Sequence, residues 1–393
     1  MMTPVTGLMK YRNFGKLRWK VSALGFGAMR LPIIGNDAAK INEPEAIRMI
    51  RYAIDHGVNY VDTAYPYHGG NSETLVGKAL KDGYREKVKL ATKMPTWLVN
   101  SQQDMDRYFE EQLKRLGTNI DFYLLHGLNR ERWQKLEALG VIGWAEKKMG
   151  QGGFGHLGFS FHDEYDAFEN IVDSYENWTL CQIQYNYVDV RYQAGTRGLK
   201  YAASKGLAVV VMEPIAGGRL AVNPPKPIQE IWDKARVKRT GAEWALLWVW
   251  NQPEVSVALS GMSNMQQVKE NVRTANNSGI NKLTKEELSF INLARLEYAN
   301  VGFIGCTGCR YCSPCSQGVN IAEIISLYNE FYVKKMSDEV KAKYWEHIAP
   351  ESQAKKCVAC GKCEELCPQH LPIRDVLRRA TWIFGQEPPK PRK

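Results

Sequence analysis

Between residues 20 and 275 the chain alternates short β-branched runs with helical patterns eight times, and this repeat limits the fold more than any other feature. The runs predicted as strands are Val21–Gly27, Asn59–Asp62, Val88–Lys93, Ile120–Leu125, His156–Ser160, Leu180–Tyr185, Ala208–Met212 and Val255–Ser260. Each is followed by an amphipathic stretch with its own start and stop signals. One stretch runs from Asn42 to the stop at Gly57, another opens at Ser101 with Asp104 three residues on, and a third opens at Thr240 with Trp244, Leu247 and Trp248 on one face. From the third strand end to the seventh the steps are 32, 35, 25 and 27 residues, and the step from the seventh to the eighth is lengthened by a Pro- and Lys-rich insertion at Ala221–Lys238. Eight βα units within one domain predict an α/β fold, a closed (β/α)8 TIM barrel. The segment Arg12–Lys20 ahead of them has the pattern of a short hairpin suited to plugging the barrel floor.

A barrel of this kind occupies about 250 residues, whereas the chain has 393. The remainder holds the cysteines. Of nine, only Cys181 lies in the first 300 residues, and it falls inside a strand, as expected of a core residue. Mean hydropathy is −0.38, and the longest apolar stretch, Ala242–Trp250, is too short to span a bilayer. The N-terminus lacks an apolar core of signal-peptide type, so a cytoplasmic location is expected. Net charge is +10, but the basic residues are dispersed and no nucleic-acid-binding signature accompanies them. Gly150–Gly155 matches the dinucleotide fingerprint G-x-G-x-x-G. The helix precedes it and the strand follows, the reverse of what that motif requires, so it is expected to be a loop.

In TIM barrels the chemistry sits at the C-terminal ends of the strands. Asp62 ends the second predicted strand, with Tyr67 in the loop beyond it. Lys93 ends the third, His126 follows the fourth, Ser160 ends the fifth, and Gln182 and Gln184 lie in the sixth. A phenol is a poor acid near neutrality unless a cation lowers its pKa. Lysine supplies that cation, aspartate keeps the lysine charged, and a histidine can orient a carbonyl, which together equip the mouth to protonate an alkoxide.

Those residues, in the stretches VDTAYPYHGG, KLATKMP, DFYLLHGL, GFS (158–160), CQIQYN and GMSNMQQVKEN (261–271), make residues 10 to 280 resemble the aldo-keto reductase superfamily. The resemblance implies reduction of a carbonyl, or oxidation of an alcohol, by hydride transfer with NADP or NAD. It places Asp62, Tyr67, Lys93 and His126 on the catalytic tetrad, and Ser160 and Gln182 at the nicotinamide carboxamide. It places Met212 where many members set an aromatic ring, and Ser263, Gln267, Glu270 and Asn271 at the adenosine phosphate end. It further assigns Gly27, Ala28 and Met29 after the first strand, and Pro214, Gly217, Gly218 and Arg219 after the seventh, to the dinucleotide. The chain departs from the pattern at Gly261 and Gln267, where many members carry Lys and Arg that select the 2′-phosphate, and at Phe161, where Asn is frequent. Arg273, Lys269 or Arg219 could supply the missing charge.

Cys357-x2-Cys360-x2-Cys363-x3-Cys367-Pro368 is the bacterial ferredoxin run for a [4Fe–4S] cluster, and its crowding disfavours a zinc site built from two separated pairs. Cys306-x2-Cys309-x2-Cys312-x2-Cys315 is one residue short in its last gap and lacks the proline. If ligation crosses over as in two-cluster ferredoxins, one cluster takes Cys306, Cys309, Cys312 and Cys367, and the other takes Cys357, Cys360, Cys363 and Cys315. Two predicted helices, Ile321–Lys335 and Ser337–Ile348, separate the sets, and a third, Lys285–Ala299, precedes them. The expected organisation is a barrel over residues 1–300, a mainly helical ferredoxin-like domain over 301–385, and a disordered tail over 386–393. With MEPIAGGRL, GFSFHDEYD and CTGCRYC, the whole chain is similar to the aldo-keto reductase branch with a C-terminal 4Fe–4S domain, found mostly in anaerobes. The expected partners are a small carbonyl or alcohol substrate and an electron-transfer protein, with neither nucleic acid nor membrane. Two alternatives to a reductase are an iron–sulfur electron carrier that uses the barrel for docking, and a redox sensor. Hydride moves two electrons whereas each cluster passes one, and no flavin site bridges the two.

Overall fold

The computed structural model describes residues 8–35, 37–222, 224–334 and 336–385; the tail expected to be disordered, 386–393, lies outside them. By packing, the described residues form two units. The first comprises the chain up to Pro214 together with Ala242–Lys285, and the second comprises Ile215–Gly241 together with the chain from Glu286 on. The sequence suggests a single linear boundary at residue 300, whereas packing assigns the segment after the seventh barrel strand to the unit that carries the clustered cysteines.

The first unit opens with an antiparallel hairpin, β1 (Tyr11–Phe14) and β2 (Leu17–Ser22). Eight parallel strands then close on themselves: β3 (Leu24–Gly27), β4 (Tyr60–Asp62), β5 (Lys89–Met94), β6 (Ile120–Leu128), β7 (Phe154–Phe161), β8 (Leu180–Gln184), β9 (Ala208–Met212) and β10 (Val255–Gly261). β10 returns to pair with β3, so the sheet has no free edge. All eight predicted strands are present. The first is divided, because Val21 and Ser22 belong to the hairpin and the barrel strand begins only at Leu24. Ala23 marks the division: its N–H donates to Lys10 in the hairpin and its carbonyl accepts from Ala258 in the barrel.

Helices alternate with the strands where the caps predict them. The side chain of Asn42 accepts from the Glu45 N–H and Ser101 from the Asp104 N–H, each satisfying an orphan donor of the first turn. The helix Gly241–Trp250 buries Trp244, Ala245, Leu246, Val249 and Trp250, while Leu247 and Trp248 of the predicted face are only half-buried. It is apolar on nearly every side, so periodicity could not choose a face. The glycine-rich segment at 150–155 runs from the end of a helix through a turn into β7, as its inverted order requires.

The hairpin fills the barrel floor. Phe14 is fully buried among Val21, Tyr60, Phe122 and Leu124, and its ring lies 4.9 Å from Phe122 and 5.2 Å from Trp19. Beside it, buried Arg12 donates to three carbonyls, those of Val255 (2.6 Å), Trp250 (2.8 Å) and Gln252 (2.5 Å). Those carbonyls span the end of the helix Gly241–Trp250 and the start of β10, so one side chain ties the hairpin to the strand that closes the barrel. Burial brings the guanidinium down to about 10, against the pull of Glu254.

The second unit packs the helices Ile321–Val333, Asp338–His347 and Ile373–Phe384 around Ile324, Ile325, Tyr344, Val376 and Phe384. Tyr344 and Phe384 stack at 4.6 Å. The first two helices and Lys285–Val301 match their predicted spans to within two residues. The last helix was not foreseen, although its apolar face at Ile373, Val376, Leu377, Ala380 and Phe384 has helical spacing. Among the described residues no helix is long and apolar enough to cross a membrane. Arg12→Ala should lower the unfolding free energy by about 3 kcal/mol, because it removes the guanidinium donor from three carbonyls, two of them in buried hydrogen bonds. A urea denaturation midpoint close to that of the unsubstituted protein would refute this account.

Candidate active site and cysteine loops

Asp62 ends β4 and Lys93 is the next-to-last residue of the adjacent β5, and both side chains are buried within the barrel. The Lys93 ammonium is 1% exposed; it donates to Asp62 Oδ1 at 2.5 Å, to the Thr63 carbonyl at 2.9 Å and to Tyr67 Oη at 3.4 Å. Burial pulls this ammonium below its usual range, while Asp62 and, more weakly, Glu73 pull it back. A buried charge without such partners would be strongly destabilising. The His126 ring meets Tyr67 edge-on at 5.9 Å and lies 5.1 Å from Trp97. Burial, reinforced by Lys93, His162 and Arg132, holds His126 well below the usual imidazole range, so the ring is neutral. The four residues picked out at the mouths of three consecutive strands therefore form one cluster.

A second layer supports it. Gln112, buried on the helix Gln102–Leu116, donates to the Lys93 carbonyl (3.0 Å) and to Glu73 Oε1 (2.6 Å), which also accepts from Thr92 Oγ1 (2.6 Å). Burial raises the Glu73 carboxyl, and these donors oppose the shift. Sequence reasoning missed this layer, since Glu73 and Gln112 have the spacing of ordinary helix residues.

The predicted carboxamide residues lie on β7 and β8. Ser160 Oγ accepts from the Gly127 N–H at 2.7 Å, which leaves its hydroxyl hydrogen free to donate. Gln182 Nε2 donates to Asp62 Oδ2 at 2.6 Å, and its buried Oε1 has no hydrogen-bond partner among the described residues. An unmatched acceptor beside an available hydroxyl donor fits a primary amide group, whose NH2 donates and whose carbonyl oxygen accepts.

At the other predicted end, Ser263 N–H donates to Gln267 Oε1 (2.7 Å), Asn264 caps Gln267 N–H (3.0 Å), and Asn271 Nδ2 donates to Ser260 Oγ (3.0 Å). Glu270 accepts from Gln266. Of the alternative cations, Arg273 is ion-paired with Glu243 at 3.5 Å and Lys269 lies over the Tyr52 ring. Arg30, not singled out from the sequence, packs its stem on Gly261, where an added Cβ would meet it at 3.0 Å, and its guanidinium approaches Glu213 at 3.6 Å. Gly27 ends β3, and Ala28 and Met29 begin a short 3-10 turn. Met212 ends β9 half-buried, and Pro214 follows in the same unit. Gly217, Gly218 and Arg219 belong to the second unit.

The two cysteine loops repeat one backbone turn. Gly308 N–H points at Cys306 Sγ and Ala359 N–H at Cys357 Sγ, both at 3.4 Å. Gly308 and Ala359 share positive φ (66° and 56°), as do Arg310 and Gly361 (62° and 82°). N–H groups directed at the sulfurs suit thiolates that carry a shared negative charge. Cys367, from the second set, lies close enough to Cys309 and Cys312 to act on both electrostatically, and Cys363 of the same set also acts on Cys312. Burial pushes the metal-free Cys309 and Cys312 thiols up to about 12, so ligation there must displace protons. Cys363 is less affected, up to about 11, and Cys360 is exposed. Cys315 lies half-buried against the helical core, and Cys181 is buried in β8. Among the described residues no three His, Cys, Asp or Glu side chains close around a single metal ion.

Residues 23–292 match the aldo/keto reductase family, and residues 305–372 match a 4Fe-4S dicluster domain. L-galactose dehydrogenase of Arabidopsis thaliana is 29% identical over 288 residues, covering 67% of this chain and 87% of its own length. An uncharacterised oxidoreductase of Bacillus subtilis is 26% identical, covering 72% and 95%. Among solved structures, the holo form of an aldo-keto reductase from Bacillus halodurans superposes with a TM-score of 0.61 at 29% identity, covering 73% of this chain and 96% of that one. An aldo-keto reductase from Klebsiella pneumoniae in complex with NADPH superposes with a TM-score of 0.58 at 25% identity, covering 74% and 95%. With its closed eight-stranded barrel and polar mouth, the chain belongs to the aldo/keto reductase family, as an oxidoreductase that carries a 4Fe-4S dicluster domain after the barrel.

Proposed function

We propose that the protein interconverts a carbonyl and an alcohol using NADP, with Tyr67 as the general acid and base. The observation that carries this reading is the Lys93 ammonium held between Asp62 and the Tyr67 hydroxyl. Bound NADP would supply or accept the hydride. Lys93 stabilises the phenolate that Tyr67 becomes on giving up its proton, and Asp62 keeps Lys93 charged in a buried site. His126, neutral and beside the Tyr67 ring, orients the substrate oxygen by a hydrogen bond. Ser160 and Gln182 hold the carboxamide, and Met212 packs against the nicotinamide face. Ser263, just ahead of the helix Met265–Asn276, and Gln267, Glu270 and Asn271 along that helix hold the adenosine phosphates. Gly27, Ala28, Met29, Pro214, Gly217, Gly218 and Arg219 complete the dinucleotide contacts.

NADP over NAD is supported by the NADPH held by the Klebsiella neighbour, and by Arg30, whose stem covers Gly261 where many members carry lysine. Two [4Fe–4S] clusters, the first on Cys306, Cys309, Cys312 and Cys367 and the second on Cys357, Cys360, Cys363 and Cys315, are supported by the repeated turn and by the approach of Cys367 to the first loop. We place the enzyme in the cytoplasm of an anaerobe, with residues 1–300 as its reductase part and 301–385 as its cluster domain. A second reading, in which the clusters exchange electrons with a protein partner, is favoured by the exposure of Cys360 and Val358.

Tyr67→Phe should slow carbonyl reduction by at least ~10²-fold while leaving NADPH affinity nearly unchanged; equal rates would remove Tyr67 from proton transfer. Arg30→Ala should weaken NADPH binding about tenfold or more, and NADH binding little, since a charge-assisted hydrogen bond to a phosphate is at stake. Equal losses for the two dinucleotides would contradict that assignment. Protein prepared without oxygen should carry about eight irons. About four would mean that the irregular first set leaves one cluster incomplete, and stoichiometric zinc would end the iron–sulfur assignment.

A further inference from the structure

The segment Ile215–Gly241, which follows β9, packs within the second unit through several independent contacts. Arg239 pairs with Glu287 at 2.5 Å. The Gly217 backbone, at φ 69°, lies so close to Thr307 that an added Cβ would fall 2.5 Å from its carbonyl oxygen and 2.6 Å from its Cα. The Arg219 guanidinium stands over the Phe303 ring, 5.4 Å from its centroid. Phe303 and Thr307 flank Cys306, the first cysteine of the first loop, and Thr307 is buried. The strip of chain that leads into a cysteine loop is therefore also the surface on which Gly217 and Arg219 rest.

We infer that Phe303 is a positioning residue for dinucleotide binding, holding the Arg219 guanidinium in place while Thr307 fixes the backbone at Gly217. The inference rests on the proposed role of Gly217, Gly218 and Arg219 in holding the dinucleotide. A long cationic side chain loses rotamer freedom when it grips a phosphate, and a ring that already holds the guanidinium removes part of that loss before binding. A cation–π contact of this kind accounts for a change of about twofold to thirtyfold in an equilibrium constant.

The test compares NADPH titrations of the cluster-loaded, full-length protein with those of Phe303→Leu, Phe303→Tyr, Arg219→Ala and the double variant Phe303→Leu/Arg219→Ala. Iron content and visible spectra verify that each variant keeps its clusters. Phe303→Leu retains an apolar side chain and removes the aromatic face. It should raise the NADPH Kd by about twofold to thirtyfold, with kcat at saturating NADPH unchanged, and Phe303→Tyr should bind as the unsubstituted protein does. The double variant should bind no more weakly than Arg219→Ala, because the two residues act through one contact. Normal NADPH affinity in Phe303→Leu beside weakened affinity in Arg219→Ala would overturn the positioning role while leaving Arg219 as a ligand. Additive losses in the double variant would overturn it as well. Normal affinity in Arg219→Ala would instead overturn the cofactor role of the Arg219 segment, and the inference with it.

Discussion

One buried charge organises the barrel mouth. Lys93 places an ammonium group where almost no water reaches, and a site of that kind persists only when the surrounding chain supplies acceptors. Asp62 supplies one oxygen, the Thr63 backbone another, and the Tyr67 hydroxyl completes the set. The second Asp62 oxygen is bound by Gln182 from β8, on another part of the barrel wall. From behind, Gln112 holds the Lys93 carbonyl and the buried Glu73. Two strand ends, a loop, a distant strand and an outer helix are thus brought to a single geometry by one electrostatic requirement.

The barrel divides its interior between stability and chemistry. Its floor is closed by the hairpin rings and by Arg12, whose three carbonyl partners fix the approach to the closing strand. With the floor packed and satisfied, the mouth can carry Gln182 with an unmatched acceptor and the buried Lys93–Asp62 pair. A well-packed scaffold elsewhere offsets the cost of such buried polar groups.

The cysteine domain shows how local geometry can reveal what spacing obscures. By sequence the first set is irregular, short by one residue and without the following proline. In the structure its first turn repeats that of the regular set, with matching left-handed residues and the same N–H directed at the leading sulfur. Cys367 of the regular set comes within electrostatic range of Cys309 and Cys312, the approach that the crossed ligation proposed above calls for.

The sequence by itself determined the class of fold, because apolar runs alternating with capped helices bury both faces of a parallel sheet, and eight such units in about 250 residues suit a closed barrel. It also determined the chemical type of both sites, since Asp62, Tyr67, Lys93 and His126 fall at strand ends and eight cysteines fall within 62 residues. It could not resolve the boundary at Ala23, where one apolar run serves two sheets, nor the buried face of Gly241–Trp250, which is apolar on nearly every side. Tertiary structure alone decided that Arg30 lies on Gly261, that Glu73 and Gln112 stand behind Lys93, and that Phe303 lies beneath Arg219. Each of these pairs is far apart in the chain, and neither partner carries a local signal. Periodicity and spacing record what a residue does to its own helix or strand, whereas these contacts exist only once the separate elements have packed.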